Sequence, residues 1–214
     1  LWDRSAAHQL RNPIAGVLSL AEAVDRAPNA QAARERTRDL LAAARETADL
    51  SNKLLILERA KAQESGQAHE ALDLHALLTQ WAEDLSQSVP SSVTFRSDIR
   101  PDLRPSAGDP TMLRETLRNL VDNALSHGGP DVSQIRLRAW QAGGQAQISV
   151  EDNGQGLPED QREAAFERFR PLAASSGSGL GLSIARAVAE AHGGAIWLED
   201  AAPGLRVTLS LPSV

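Results

Sequence analysis

Gln134-Ile-Arg-Leu-Arg-Ala-Trp140 and Ala146-Gln-Ile-Ser-Val-Glu151 flank a turn that holds Gly143-Gly144. Apolar and polar residues alternate along both stretches, which predicts two half-buried strands, and the glycine pair predicts that they form a hairpin. Upstream, Asp109 suits a helix N-cap and Pro110 the first helical position, so a helix is expected from about Pro110 to His127. Further out, the pattern predicts a helix over Leu74–Ser88 and a strand over Val93–Arg96. Downstream it predicts a helix opening near Gly179 and strands over Ala195–Leu198 and Arg206–Leu211. Helices mixed with antiparallel strands in this way make an α/β two-layer sandwich.

The N-terminal third has a different period. Leu10, Ile14, Val17, Ala21 and Val24 fall at 4-3-4-3 spacing, one narrow helical stripe over about Leu1–Val24. Pro28-Asn29 breaks the pattern, and Leu40, Leu41, Ala44, Ala48, Ser51 and Leu55 resume it over about Ala30–Glu64. Two such helices joined by a short turn form a hairpin, which buries too little apolar surface alone. Pairing with a second copy into a dimeric four-helix bundle is the expected remedy. The helical pattern stops at Ser65-Gly66-Gln67. The chain is therefore expected to be α+β, with the hairpin over 1–66 and the sandwich over 67–214, and without internal repeats.

Composition excludes several classes of function. A net charge of −6 argues against a general nucleic-acid grip, which needs a basic surface to displace counterions. The absence of cysteine removes disulfides, thiolate chemistry and Cys-ligated zinc. Aromatic residues are 3% of the chain, so Leu, Ala, Val and Ile must build the core. Neither a run of about eighteen apolar residues nor a signal-peptide pattern is found, and a soluble chain without direct membrane contact is expected. Met112 is the only methionine and His8 stands near the start, which suggests a fragment whose sensor or membrane segment lies upstream.

Several side chains carry possible chemistry. At 100° per residue His8 and Asn12 share a helix face, roughly opposite the apolar stripe. A solvent-facing imidazole near its ordinary pKa is partly neutral at pH 7, so a ring nitrogen can attack phosphorus. Pro13 should bend the helix just beyond. Asn119 and Asn123, four residues apart, face one way, and their amide oxygens are neutral, hard ligands suited to Mg²⁺. Asp152 ends a strand before a sharp turn, where its carboxylate can accept a purine amine while Gly154 and Gly156 let the backbone come close. Gly177, Gly179 and Gly181 alternate just before a helix, so free amides and a helix N-terminus converge where polyphosphate can sit. Each feature also has an ordinary structural reading: a surface histidine, a polar helix face, an Asp-x-Gly loop, a flexible linker.

Their fixed order changes that balance. His8-Gln-Leu-Arg-Asn-Pro13, Asn119-Leu-Val-Asp-Asn123-Ala, Glu151-Asp152-Asn-Gly154-Gln-Gly156, Phe166-Glu-Arg-Phe169 and Gly177-Ser-Gly179-Leu-Gly181-Leu resemble the H, N, G1, F and G2 boxes of sensor histidine kinases. The resemblance covers almost the whole chain. It implies an ATP-binding fold shared with the Hsp90 and gyrase ATPases, and transfer of the ATP γ-phosphoryl group to His8 and then to an aspartate of a response-regulator receiver domain. It further implies Asn123 as principal Mg²⁺ ligand with Asn119 supporting, and Asp152, Gly154 and Gly156 at adenine. Gly177, Gly179, Leu180 and Gly181 then belong to the phosphate side. Phe166 and Phe169 would anchor a lid over about Arg170–Ser178, with Arg168 and Arg170 as lesser candidates at the γ-phosphate. Asn12 matches the position thought to orient water when such proteins dephosphorylate their regulator.

Three positions depart from the pattern. Gln9 stands where many relatives carry Glu or Asp, and a neutral amide cannot take a proton from the imidazole. Ser126 and His127 replace the usual cation and aromatic ring after the N box. These departures motivate one alternative, a degenerate kinase acting as nucleotide-binding dimeric scaffold or phosphatase. The other, an ATPase or serine kinase of the same superfamily, leaves the His8 hairpin unexplained. The expected location is cytoplasmic, as part of a bacterial inner-membrane sensor protein.

Overall fold

In the computed structural model, residues 4–63, 70–167 and 179–214 are described, with the backbone alone for residues 4–9, 63 and 70. Two compact units divide the chain, Leu1–Glu58 and Arg59–Val214. The break expected at residues 66 and 67 lies outside the described residues.

The first unit is a helical hairpin. Helix α1 spans Arg4–Asp25 with Pro13 inside it, and α2 spans Ala30–Gln63. Asn29 ends the turn and caps α2: its Oδ1 accepts the Ala32 amide at 2.9 Å. Arg36 reaches back from α2 and donates to the Ala23 carbonyl at 2.5 Å, fixing the bend. The stripe read from sequence is not buried within one chain. Ile14 of the stripe is 55% exposed while Leu10, Val17, Ala21 and Val24 are half-buried; Leu18 beside the stripe is 61% exposed, and Leu41 and Leu55 on α2 are also exposed.

The second unit is a five-stranded sheet with helices on one face. Strands β1 (Glu70–Leu72) and β3 (Ser106–Gly108) form a small antiparallel pair of their own. The main sheet runs β2-β4-β5-β7-β6, with β2 (Thr94–Ile99), β4 (Gln134–Ala142), β5 (Gln145–Asp152), β6 (Ala195–Asp200) and β7 (Leu205–Pro212). Among the described residues of this sheet, only the β2–β4 pair is parallel. The hairpin through Gly143-Gly144 forms as expected, with φ of +58° and +78° at the two glycines.

Alternation decides the buried face. Ile135, Leu137 and Ala139 of β4, Ile148 and Val150 of β5, and Val207, Leu209 and Leu211 of β7 are all buried. The helices α3 (Leu74–Ser88), α4 (Pro110–His127) and α6 (Gly181–Ala191) supply Leu78, Leu117, Val121, Ile184 and Val188 to the same core. Glu151 points the opposite way from Asp152. On that far face it accepts hydrogen bonds from Arg206 Nε at 2.8 Å and Arg138 Nη1 at 3.4 Å. A short helix α5 (Glu159–Arg162) and a 3₁₀ turn (Ala164–Phe166) follow the β5 loop. No helix among the described residues is long and apolar enough to cross a membrane.

Candidate functional site

Helix α4 delivers the two asparagines. Asp109 Oδ1 accepts the Thr111 and Met112 amides at 2.8 and 3.1 Å, which starts the helix at Pro110 and fixes its rotation. Leu117, Leu120 and Val121 turn into the core while Asp122 faces solvent. Asn119 is 5% exposed, and its Nδ2 has no hydrogen-bond partner among the described residues. A buried donor without an acceptor is costly unless a ligand supplies one. Asn123, one turn further, is half-buried.

The end of β5 delivers Asp152, 8% exposed. Its Oδ1 accepts the Gly154 amide at 2.8 Å and the Leu205 amide at 3.4 Å. Burial pushes the carboxyl above its ordinary pKa, and the two amide bonds only partly oppose that shift. No hydrogen bond among the described residues engages Oδ2. The loop beyond is packed backbone to backbone. Gly128, the C-cap of α4, accepts the Gln155 amide at 2.8 Å, and a Cβ at Gly154 would collide with the Gly128 carbonyl. Gly204 lies equally close to the Asp152 carbonyl. Gln155 Nε2 also donates to the His127 carbonyl at 3.2 Å. The His127 imidazole is half-buried, which lowers its pKa by desolvation.

Helix α6 opens against the same place. Gly179 takes φ +63°, Leu180 is fully buried, and Gly181 begins the helix. A Cβ at Gly181 would stand 2.8 Å from both Nδ2 and Oδ1 of Asn123, so only glycine leaves that carboxamide room. Hence the Asn123 amide and the first turn of α6 are in contact although 58 positions apart in sequence (181 − 123). Phe166 is buried and carries the Arg186 guanidinium 4.7 Å above its ring; Arg186 Nη1 also pairs with Glu163 at 2.8 Å. Gly177, Arg168, Phe169, Arg170 and the rest of the expected lid lie outside the described residues.

In the hairpin unit, His8 and Gln9 fall on α1, but their side chains lie outside the described residues. Asn12 is exposed, as its place opposite the stripe requires. Sequence reasoning missed Arg162, whose Nε donates to the Leu157 carbonyl at 3.1 Å while Nη2 meets Asp200 at 2.7 Å, tying the Asp152 loop to the β6–β7 turn. It also missed Arg186, Gly128, Gly204 and His192. The Pro203-Gly204 turn and the His192-Gly-Gly triplet were the available signals.

The Asn119 and Asn123 carboxamides, one buried and one half-buried, suit an ion held largely by water and phosphate oxygens. Among the described residues there is no cluster of His, Asp or Glu able to hold a metal alone. Neutral carboxamide oxygens, one of them pressed against a helix N-terminus, fit Mg²⁺ shared with a polyphosphate.

Residues 108–214 match the family model described as histidine kinase-, DNA gyrase B- and HSP90-like ATPase. The chain is 37% identical over 155 residues to the sensor-type histidine kinase PrrB of Mycobacterium leprae, covering 68% of this chain and 33% of that protein. It is 35% identical over 217 residues to the sensor protein kinase CarS of Pseudomonas aeruginosa, covering 96% of this chain and 44% of CarS. Among solved structures, the ATP-binding domain of PrrB from Mycobacterium tuberculosis is 31% identical with a TM-score of 0.56, over 69% of this chain and 99% of that one. The chain thus spans about a third of the length of PrrB and less than half of CarS.

Proposed function

The chain belongs to the family of histidine kinase-, DNA gyrase B- and HSP90-like ATPases, and on that premise we propose that it is the catalytic core of a sensor histidine kinase, transferring the γ-phosphoryl group of ATP to His8. The observation that carries this reading is the contact of the Asn123 carboxamide with Gly181 at the start of α6, on the same helix as the orphaned Asn119 amide. Amide nitrogens of a helix N-terminus attract phosphate, and the unmet Asn119 donor gains an acceptor when a phosphate oxygen sits beside it. Asn123 would hold Mg²⁺ through its amide oxygen with Asn119 in support, and the ion would supply neutralisation of the phosphate charge. Asp152 accepts the adenine 6-amino hydrogen through Oδ2, while Oδ1 is kept in place by Gly154 and Leu205. Gly154 and Gly156 bring the backbone close to the purine, and Gly177, Gly179 and Leu180 continue the phosphate side.

In the transfer step a ring nitrogen of His8 forms the N–P bond as the bond from γ-phosphorus to the bridging oxygen breaks. ADP leaves, and the imidazole proton passes to water, since Gln9 is no base. The phosphoryl group then moves to an aspartate of a response-regulator receiver domain. Asn12, exposed one turn from His8, holds water for the reverse duty of regulator dephosphorylation. A second copy of the chain covers Ile14, Leu18, Leu41 and Leu55 in a four-helix bundle, which explains why one hairpin leaves them exposed. The use of ATP supports a cytoplasmic location, as the intracellular part of a sensor protein.

Calorimetric titration with ATP, with and without Mg²⁺, tests the nucleotide reading. Asn123→Ala should abolish most of the Mg²⁺-dependent gain in affinity. An unchanged Mg²⁺ dependence in the variant would contradict the assignment.

A further inference from the structure

His192 is the C-cap of α6 and is only 5% exposed, yet no step of the proposed reaction uses it. Its Nδ1 lies 2.7 Å from the Val188 carbonyl, one turn back in its own helix. A carbonyl can only accept, so Nδ1 carries the hydrogen and Nε2 presents a lone pair. That lone pair accepts the backbone amide of Asp109 at 2.9 Å. Asp109 is the N-cap that starts α4. The ring is also fitted tightly: a Cβ at Gly108 would stand 2.8 Å from Cδ2 and 3.1 Å from Nε2.

The two helices are therefore joined at both ends, in antiparallel sense. The first turn of α6 touches Asn123 near the end of α4, and the cap of α6 bonds the residue at the start of α4. About 16 Å of helix separates Gly181 from His192. Along that length Ile184, Ala185, Val188 and Ala189 are fully buried and apolar, so packing between them resists separation but carries no directional bond. Apolar ridges tolerate small axial slips and rotations far better than a hydrogen bond at a fixed angle does.

We propose that His192 is a positioning residue for the phosphate side of the nucleotide site, setting the axial position of α6 on α4 and thereby the distance between the Gly181 amide and Asn123. This rests on reading Asn123 and Gly181 as the triphosphate and Mg²⁺ site. Displacement of α6 without the His192–Asp109 bond moves its first turn while leaving Asp152, on β5, untouched. The effect is therefore confined to ligands that carry phosphates.

Two substitutions separate the two bonds of the ring. His192→Asn retains a donor near the Nδ1 position for Val188 but removes the acceptor for Asp109. His192→Gln extends an amide oxygen to the place of Nε2 and keeps that acceptor. In the full chain, with folding verified by thermal melting, His192→Asn should weaken Mg²⁺-ATP binding about tenfold, the scale of one lost hydrogen bond, and leave adenosine affinity unchanged. His192→Gln should restore most of the loss. Gly108→Ala, which pushes the ring away, should reproduce the Asn phenotype and serves if His192→Asn does not fold. Equal losses for ATP and adenosine, or wild-type ATP affinity in folded His192→Asn and Gly108→Ala, would overturn the positioning role alone. A wild-type chain that bound neither ligand would overturn the nucleotide reading beneath it as well.

Discussion

Replacing Asp152 by Asn separates binding from stability in opposite directions. Oδ1 is committed to the Gly154 and Leu205 amides, so an asparagine must keep its oxygen there and turn its NH₂ to where Oδ2 stood. A charged acceptor for the adenine amine becomes a donor facing a donor. Hydrogen bonds to charged groups contribute about 1.5–3 kcal/mol, so ATP affinity should fall roughly 10- to 150-fold. Inosine triphosphate, with an oxygen in place of the amine, should lose far less or gain. Stability moves the other way. Burial raises the folded-state pKa of Asp152 above its unfolded value, so the folded state holds the proton more tightly. The stability so gained is fully present below the unfolded pKa and is lost as pH rises through the folded pKa. At neutral pH the wild type carries the full cost of a buried charge, and Asp152→Asn removes it. The variant should therefore melt higher than wild type at pH 7, and the gap should close as pH falls through the raised value toward the ordinary carboxylate value. Calorimetric titration with both nucleotides and melting curves across that range test this together. Unchanged preference for ATP over inosine triphosphate would refute the adenine contact, and a melting difference that grows with acid would refute the burial argument.

Gly181→Ala should leave the chain folded, since Gly181 has no left-handed φ and alanine's helix preference over glycine, about 0.5–1 kcal/mol, offsets part of the strain its Cβ brings. It should nevertheless reduce Mg²⁺-ATP affinity about tenfold or more, because its Cβ displaces the Asn123 carboxamide, an overpacking of the kind that costs about 1–3 kcal/mol; wild-type affinity by calorimetry would remove Gly181 from the site. Ile14→Glu places a charge on a residue already exposed in one chain, so it should leave the single hairpin intact but dissociate a dimer by burying an unpaired ion. Light scattering at micromolar concentration checks this, and a wild-type monomer would reject the bundle.

Long elements with local punctuation were legible in the sequence. The bounds of α4 and α3 fall where Asp109-Pro110 and the apolar period set them, and the β4–β5 hairpin follows from Gly143-Gly144. By contrast β1 and β3 are three residues each, too short for an alternation to show, and they exist only because Glu70–Leu72 pairs with Ser106–Gly108 across the chain. Helix α5, four residues long, has no period to read either. The stripe on α1 was read correctly as helical, but periodicity cannot say what covers it; Ile14 remains exposed in one chain. Within the site, Asn119, Asn123, Asp152 and the glycines were visible because each lies in a short local motif, and the order of those motifs resembles the boxes of sensor histidine kinases. The backbone contacts of Gly128 with Gly154, the ring of His192 on Gly108 and the clasp of Arg186 on Phe166 join positions 20 to 84 residues apart (186 − 166 and 192 − 108), and no local pattern encodes them.

Transfer of phosphate to His8 is tested most directly by incubating the chain with Mg²⁺-ATP labelled at the γ-phosphorus and locating the label. The account predicts one labelled site, lost in His8→Gln while ATP affinity stays as in wild type, with a phosphoryl bond that is labile in acid and stable in alkali. Acid-stable label, or equal labelling of His8→Gln, would contradict it.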